Sequence, residues 1–174
     1  MMPCKPAALF TAMLQSATLA LLVTVSGCSS KLDSNKFLGK AIQDGMAEIQ
    51  GSHLAQEKSS DPDVKKFAVR MIDEHSKIDA EIVELAKTSG ATLPQGITAD
   101  QKLKFDEMSK LAGHGFDKRF TQHNVEEHEH AVKDYSEQAE KGSDVPVKAF
   151  AARTLPILKE HLQMAKGVNT KVQP

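Results

Sequence analysis

The chain has 174 residues, and its 22 Lys and Arg side chains nearly balance its 23 Asp and Glu side chains, giving a net charge of −1. Charges of both signs are interspersed, which argues against a basic nucleic-acid-binding surface and against an acidic tail for a cationic partner. The sequence has no Trp and a single Tyr, Tyr135, so aromatic stacking platforms for sugars or bases are not expected.

The first residues have the pattern of an export signal. Lys5 supplies a positive charge, and residues 17–25 form an apolar stretch too short to span a bilayer. The stretch runs into the sequence VSGC, ending at Cys28, which resembles the lipobox of bacterial lipoproteins. The resemblance implies removal of residues 1–27, lipidation of Cys28 and, because Ser29 follows, an outer-membrane lipoprotein facing the periplasm. The alternatives are a membrane anchor or an ordinary secretory signal, and the latter would leave a soluble periplasmic protein.

Cleavage at this position would leave Cys28 as the only cysteine of the mature chain, since Cys4 is removed with the signal. An internal disulfide or a cysteine-ligated metal site is therefore not expected. We predict a short lipid-linked tether at residues 28–35, one domain at residues 36–168 and a polar tail at residues 169–174.

Two helices are predicted in the first half of this domain. The first runs from about Asn35 to Lys58, with apolar and small residues at helical spacing on one face. The second begins after Asp61 as N-cap, with Pro62 in the first turn, and ends at Gly90.

The following segment, Ala91–Gly115, is too long for a tight hairpin. It contains a predicted short helix from about Ala99 to Ala112, with Leu103, Met108 and Leu111 expected to point inward. Such a length suits a crossover between two helical hairpins, as in ferritin-like bundles.

The second half begins with a predicted helix from about Phe116 to Lys141, followed by a partial repeat. The segment SDVPVKAFAAR, which starts at Ser143, resembles SDPDVKKFAVR, which starts at Ser60. The repeat predicts a fourth helix capped by Asp144, bent at Pro156 and ended by Gly167. The overall prediction is an all-α, ferritin-like four-helix bundle made from two hairpins, a long crossover and a short extra helix.

Each long helix carries one polar residue near its middle, on or beside the predicted buried face: Glu48, His75, His128 and His161. In an up-and-down bundle these four positions would lie at similar depth. Three imidazoles and a carboxylate are suitable ligands for Zn(II), Fe(II), Mn(II) or Cu(II). We therefore regard them as a hypothetical metal site, without an assigned catalytic residue.

Two alternatives remain open. The same histidines could form a structural polar layer in a non-enzymatic stress-related or interaction protein, or serve a small-molecule or proton-linked role. The Glu-x-x-His pattern of di-iron bundles is absent, because Ile72 and Leu158 stand three residues before His75 and His161. An enzyme is thus the weakest interpretation. The other histidines are expected on solvated faces: His53, His114, His123 and His130.

Several short segments resemble a bacterial family of exported helical domains, the "domain of unknown function 4142" family. They are GMAE ending at Glu48, RM followed by EH at His75, LP at Pro94, GFD at Asp117, His128 with AV after it, and FAA-TLP with His161. The resemblance covers about residues 37–166. It implies a ferritin-like four-helix fold and an envelope location, and it implies no established activity.

Overall fold

The computed structural model describes residues 26–173, with the side chains of the first helix described from Ser34 onward. The predicted signal segment up to residue 25 lies outside these residues. The described chain consists of five helices: α1 (Ser26–Lys58), α2 (Pro62–Ser89), α3 (Ala99–Met108), α4 (Gly113–Lys141) and α5 (Val145–Val172). No strand occurs within residues 26–173, which confirms the all-α prediction. None of these helices is both long and apolar enough to cross a membrane.

The repeated segments start α2 and α5 in the same way. The carboxylate of Asp61 accepts hydrogen bonds from the backbone N–H groups of Asp63 and Val64, and that of Asp144 accepts one from Val147. Each helix also has a proline in its first turn, where a missing N–H costs little. The predicted N-caps are therefore confirmed.

The helices α1, α2, α4 and α5 form a four-helix bundle, with α3 as an extra helix. α1 packs against α2 and α4, and α5 packs against α4 and α2. The hydroxyl of Ser60, in the α1–α2 turn, donates to Asp117 near the start of α4 at 3.1 Å. α4 therefore starts at the end where α1 ends, so the connection through α3 returns along the bundle and neighbouring long helices are antiparallel.

The core consists of two apolar clusters. One, nearer the α1–α2 turn, includes Phe67, Phe116 and Phe120. The other, toward the opposite end, includes Leu38, Ile82, Phe150 and the ring of Tyr135. Along α2, α4 and α5 the predicted histidines fall between residues of the first cluster and residues of the second. The bundle thus has a polar layer between two apolar ones.

The start of α1 and the end of α5 differ from the prediction. The backbone of α1 is already helical at Ser26, so residues 29–35 continue the helix rather than form an irregular tether. α5 passes through Gly167 and ends at Val172, whose side chain is only 4 % exposed. A glycine inside a helix costs about 1 kcal/mol relative to alanine. Burial of Val172 offsets that cost, so most of the predicted polar tail belongs to the last turns of α5.

The predicted inward face of α3 is confirmed at Met108 and was wrong at Leu103 and Leu111. α3 ends at Met108, and Leu103 and Leu111 are 58 % and 38 % exposed. Phe105 and Met108 are the buried residues of this helix and pack into the cluster that contains Phe67. Phe105 is buried because it lies against Gly51 of α1, where a Cβ atom would come within 3.0 Å of the Phe105 ring.

Candidate metal centre

His75 of α2, His128 of α4 and His161 of α5 meet in the centre of the bundle. Their ring centroids are 5.6 Å (His75–His128), 5.2 Å (His75–His161) and 5.4 Å (His128–His161) apart. One nitrogen of each ring lies within 4.8 Å of one nitrogen of the other two. All three side chains are buried. The structure therefore brings together three of the four residues proposed from the sequence.

Each histidine has one buried ring nitrogen with no hydrogen-bond partner among the described residues. These atoms are Nε2 of His75, Nε2 of His128 and Nδ1 of His161. Buried polar atoms in folded proteins are almost always paired, so three unpaired atoms in one layer require an explanation.

The other nitrogen of two of these rings is fixed by an outer partner. His128 Nδ1 lies 2.8 Å from the carbonyl oxygen of Asn124, which can only accept, so Nδ1 carries the hydrogen. His161 Nε2 donates to Glu74 Oε2 at 2.5 Å. Because these nitrogens carry the hydrogens, the free lone pair of each ring is on the nitrogen without a partner, which is Nε2 in His128 and Nδ1 in His161. Metal-bound histidines typically have such an outer carbonyl or carboxylate partner.

The three imidazoles are neutral at pH 7. Burial lowers the pKa of His75 well below its ordinary value, and neighbouring His128 and His161 lower it further. Burial likewise lowers the pKa of His128 to about 4. Burial also lowers the pKa of His161, although Glu74 acts in the opposite direction. A neutral imidazole is the form that binds a metal ion.

Glu74 was not predicted as part of the site. Burial alone would raise the pKa of its carboxyl, but hydrogen bonds from His161 and Arg70 hold the pKa below its usual value. Arg70 Nε lies 2.7 Å from Glu74 Oε1, and its Nη2 lies 2.7 Å from Glu160 Oε1. Glu74 is therefore an ionised carboxylate held in place behind the His161 ring.

Glu48 lies beside the cluster rather than among the converging atoms. Its Oε1 is 3.9 Å from His128 Nδ1, the nitrogen already bonded to Asn124. Burial first, and then the nearby charges of Glu127 and Asp44, raise the pKa of Glu48 to about 8. Glu48 therefore carries a proton at pH 7 when no cation is nearby.

A small cavity adjoins the histidines. It has a volume of about 30 Å³, and Glu48, His75, His128 and Tyr135 are among its lining residues. This volume is sufficient for a single water molecule or metal ion.

Of the four histidines predicted to be exposed, three are exposed and one is buried. His53, His114 and His130 are exposed, as expected. His123 is 6 % exposed, and its ring packs edge-on against Phe105 of α3 with centroids 5.9 Å apart. The prediction of a solvated His123 was wrong because the position of α3 over α4 could not be inferred from the periodicity of α4.

Comparisons with known proteins agree with the fold and do not assign an activity. No curated protein sequence matches the chain. The crystal structure of a conserved hypothetical protein, rv2844, from Mycobacterium tuberculosis is similar, with 14% sequence identity and a TM-score of 0.59 over 81% of this chain and 93% of that one. At this identity the likeness concerns the fold alone. Residues 25–168 match a family described as "Domain of unknown function (DUF4142)", and the chain belongs to that family.

Proposed function

We propose that this protein binds one divalent transition-metal ion in the centre of its bundle, with His75, His128 and His161 as ligands. The observation that carries the proposal is that each of these buried rings has one nitrogen without a partner, and that the three rings meet. Three protein nitrogens would leave further coordination positions open on the ion, as at exchangeable or catalytic sites.

The geometry suits a metal after a small contraction. For atoms 4.8 Å apart at the corners of a triangle, the centre is about 2.8 Å from each corner, whereas a Zn–N bond is about 2.0–2.1 Å. Each ring would therefore move by less than about 1 Å. An unsatisfied buried polar group costs about 1–3 kcal/mol, so a single ion would relieve three such costs together.

The donor set narrows the choice of metal. Neutral imidazoles suit Zn(II), Cu(II) and Fe(II) better than Mn(II), which prefers oxygen ligands. Glu48 is the candidate for a fourth ligand, either directly or through a water in the adjoining cavity, because a cation there would favour its ionised form. No reaction is assigned to the ion.

The second candidate function is a non-enzymatic stress-related or interaction protein with a structural polar layer. The cavity beside His75 and His128 favours this alternative, because a buried water there could satisfy some of the unpartnered nitrogens.

Thermal unfolding separates the two functions. The chelator-treated protein should gain several degrees in Tm on addition of excess Zn(II), because binding to the folded state alone stabilises it by about 4 kcal/mol at a thousand times Kd. His75→Ala and His161→Ala should lose the zinc-dependent gain, while His53→Ala, an exposed histidine, should keep it. A wild-type protein whose Tm does not respond to zinc would favour the structural layer.

We also propose that the bundle is of the ferritin-like class and is anchored to the outer membrane through lipidated Cys28, facing the periplasm. The long connection through α3 supports the first proposal and the VSGC sequence supports the second. Wild-type protein should fractionate with membranes, and Cys28→Ser should not. Equal membrane association of the two would refute the anchor and favour a soluble periplasmic protein or a different attachment.

A further inference from the structure

On one face of the bundle, side chains that can bind a cation lie between the solvent and the histidine layer. The cavity beside His75 and His128 is also lined by Asp44, Glu48 and Glu127. The side chains of Asp44 and Glu127 are 30 % and 26 % exposed, whereas that of Glu48 is 9 % exposed and that of His128 only 1 %. The lining therefore changes from partly exposed carboxylates to buried imidazoles.

Two of the histidines that line this cavity, His75 and His128, have an unpartnered nitrogen. His75 and His128 are each more than nine-tenths buried, and the Nε2 atom of each has no hydrogen-bond partner among the described residues. A divalent cation in the cavity would meet oxygen donors from Asp44 and Glu127 on its outer side. Its inner neighbours would be the buried rings of His75 and His128, each of which has an unpartnered nitrogen. This order of ligands leads from water to the proposed centre.

The outer carboxylates are paired with side chains that a divalent ion could displace, and Glu127 Oε1 also lies 3.7 Å from His123 Nδ1. Lys40 Nζ lies 2.6 Å from Asp44 Oδ2, and Gln101 of α3 donates to Asp44 Oδ1 at 3.1 Å. Lys104 of α3 lies 3.6 Å from Glu127 Oε1. Each of these pairs has at least one partly exposed partner, and ion pairs open to solvent are weak, so a doubly charged ion can compete with them.

The groove on the opposite seam, between α2 and α5, is less suited to this role. It is lined by Glu74, Lys77, Glu81 and Arg153, with apolar residues and Thr154, and by none of the three histidines. The Glu74 carboxylate in this groove is already bonded to Arg70 and His161. A cation there would meet fixed positive charge and no path to an unpartnered nitrogen.

We propose that the seam between α1 and α4 is the passage by which a divalent cation enters and leaves the histidine centre, with Asp44 and Glu127 as transient ligands. The inference rests on the proposed metal centre and adds its route of access. Residues that line a passage change the barrier to transit in both directions. Their removal should therefore alter the association and dissociation rates together and change Kd much less than either rate.

The test is the rate of zinc loading of the whole metal-free protein, followed by competition with a chromophoric zinc chelator. The Asp44→Asn/Glu127→Gln double variant should load zinc about 10-fold more slowly, because negative charges lining a cleft raise cation on-rates by 10-fold or more. It should also release zinc more slowly, because the transient ligands that lower the barrier to transit are removed. Lys104→Gln should load faster, because it removes a positive charge beside Glu127.

Glu126→Gln is the matched control, because Glu126 is exposed on the same helix next to Glu127 and does not line the cavity. It should load at the wild-type rate with one zinc per chain. Loading by the double variant at the same rate as Glu126→Gln would overturn the passage while leaving the centre intact. Failure of wild-type protein to take up any zinc would instead refute the centre, and the passage with it.

Discussion

At the scale of single residues, burial determines the chemistry of the histidine layer. The same loss of solvent that lowers the pKa of His75, His128 and His161 keeps their lone pairs free at neutral pH. Asn124 and Glu74 then determine which nitrogen of two of the rings carries the hydrogen. The layer is thus neutral, and the tautomers of two of its three rings are fixed.

Glu74→Gln tests the outer partner of His161. The substitution keeps the size of the side chain but removes the charge that orients and strengthens this ligand, so we expect zinc affinity to fall about 10- to 100-fold. A zinc titration measures the effect. Glu160→Gln is the control, because Glu160 also pairs with Arg70 but, unlike Glu74, makes no hydrogen bond to His161. Equal zinc affinities for the two variants would contradict the assigned role of Glu74.

Asp79 provides a test of stability against pH. Its Oδ1 is buried without a partner among the described residues, and burial raises its pKa from 3.8 to about 7. Between about pH 4 and pH 7 the unfolded chain loses this proton while the folded chain keeps it. Stability therefore falls with rising pH across this window, and the penalty is constant above it.

Asp79→Asn removes the penalty. It should raise the unfolding free energy at pH 8 by roughly 1–2 kcal/mol, an amount reduced for the partial exposure of the side chain, and change it little at pH 4. Urea unfolding at both pH values measures this difference. Asp73→Asn, on the exposed face of the same helix, is the control for replacing a carboxylate with an amide. An equal change at pH 4 and pH 8 for Asp79→Asn would contradict the raised pKa.

At the scale of helices, local signals predicted the starts better than the ends. Asp61 and Asp144 bond to backbone groups two or three residues away, so their roles can be inferred from sequence. The prediction that the fourth long helix ends at Gly167 was wrong. α5 continues to Val172 because that side chain is buried against residues from other helices. Exposure of Leu103 has the same kind of cause, since only the position of α3 on the bundle determines which of its faces is covered.

The histidines of the site were predictable, whereas their partners were not. His75, His128 and His161 fall on apolar stripes at helical spacing, and this periodicity indicates the inner face. Glu74 precedes His75 by one residue, so the two side chains point in different directions on α2. Its bond to His161 depends on how α2 packs against α5. Such a contact between distant segments leaves no pattern in a single sequence.

Deletion of residues 168–174 tests the role of the last turns of α5. It removes buried Val172, the 3.0 Å bond between Thr121 and Asn169, and the ion pair of Lys171 with Asp63. Loss of the buried valine alone should lower the unfolding free energy by about 2 kcal/mol. Chemical denaturation measures this loss. A chain ending at Val172 is the control. If the chain without residues 168–174 were as stable as this control, residues 168–172 would be a tail that does not contribute to the fold.

At the scale of the whole molecule, the antiparallel bundle explains why the histidines meet. Long helices that run side by side bring their midpoints to the same depth, and each histidine is near the middle of its helix. The proposed ion would bind α2 from the first hairpin and α4 and α5 from the second. It would therefore link the two hairpins across the layer that separates the apolar clusters.

The most direct test is the metal content of the purified whole protein after equilibrium dialysis against Zn(II) and removal of excess ion. We predict one zinc per chain in the wild-type protein and in His53→Ala. It predicts loss of that zinc in His75→Ala, His128→Ala and His161→Ala, each verified to be helical by circular dichroism. A wild-type chain without bound zinc, or a zinc content that all three substitutions leave unchanged, would contradict the metal centre.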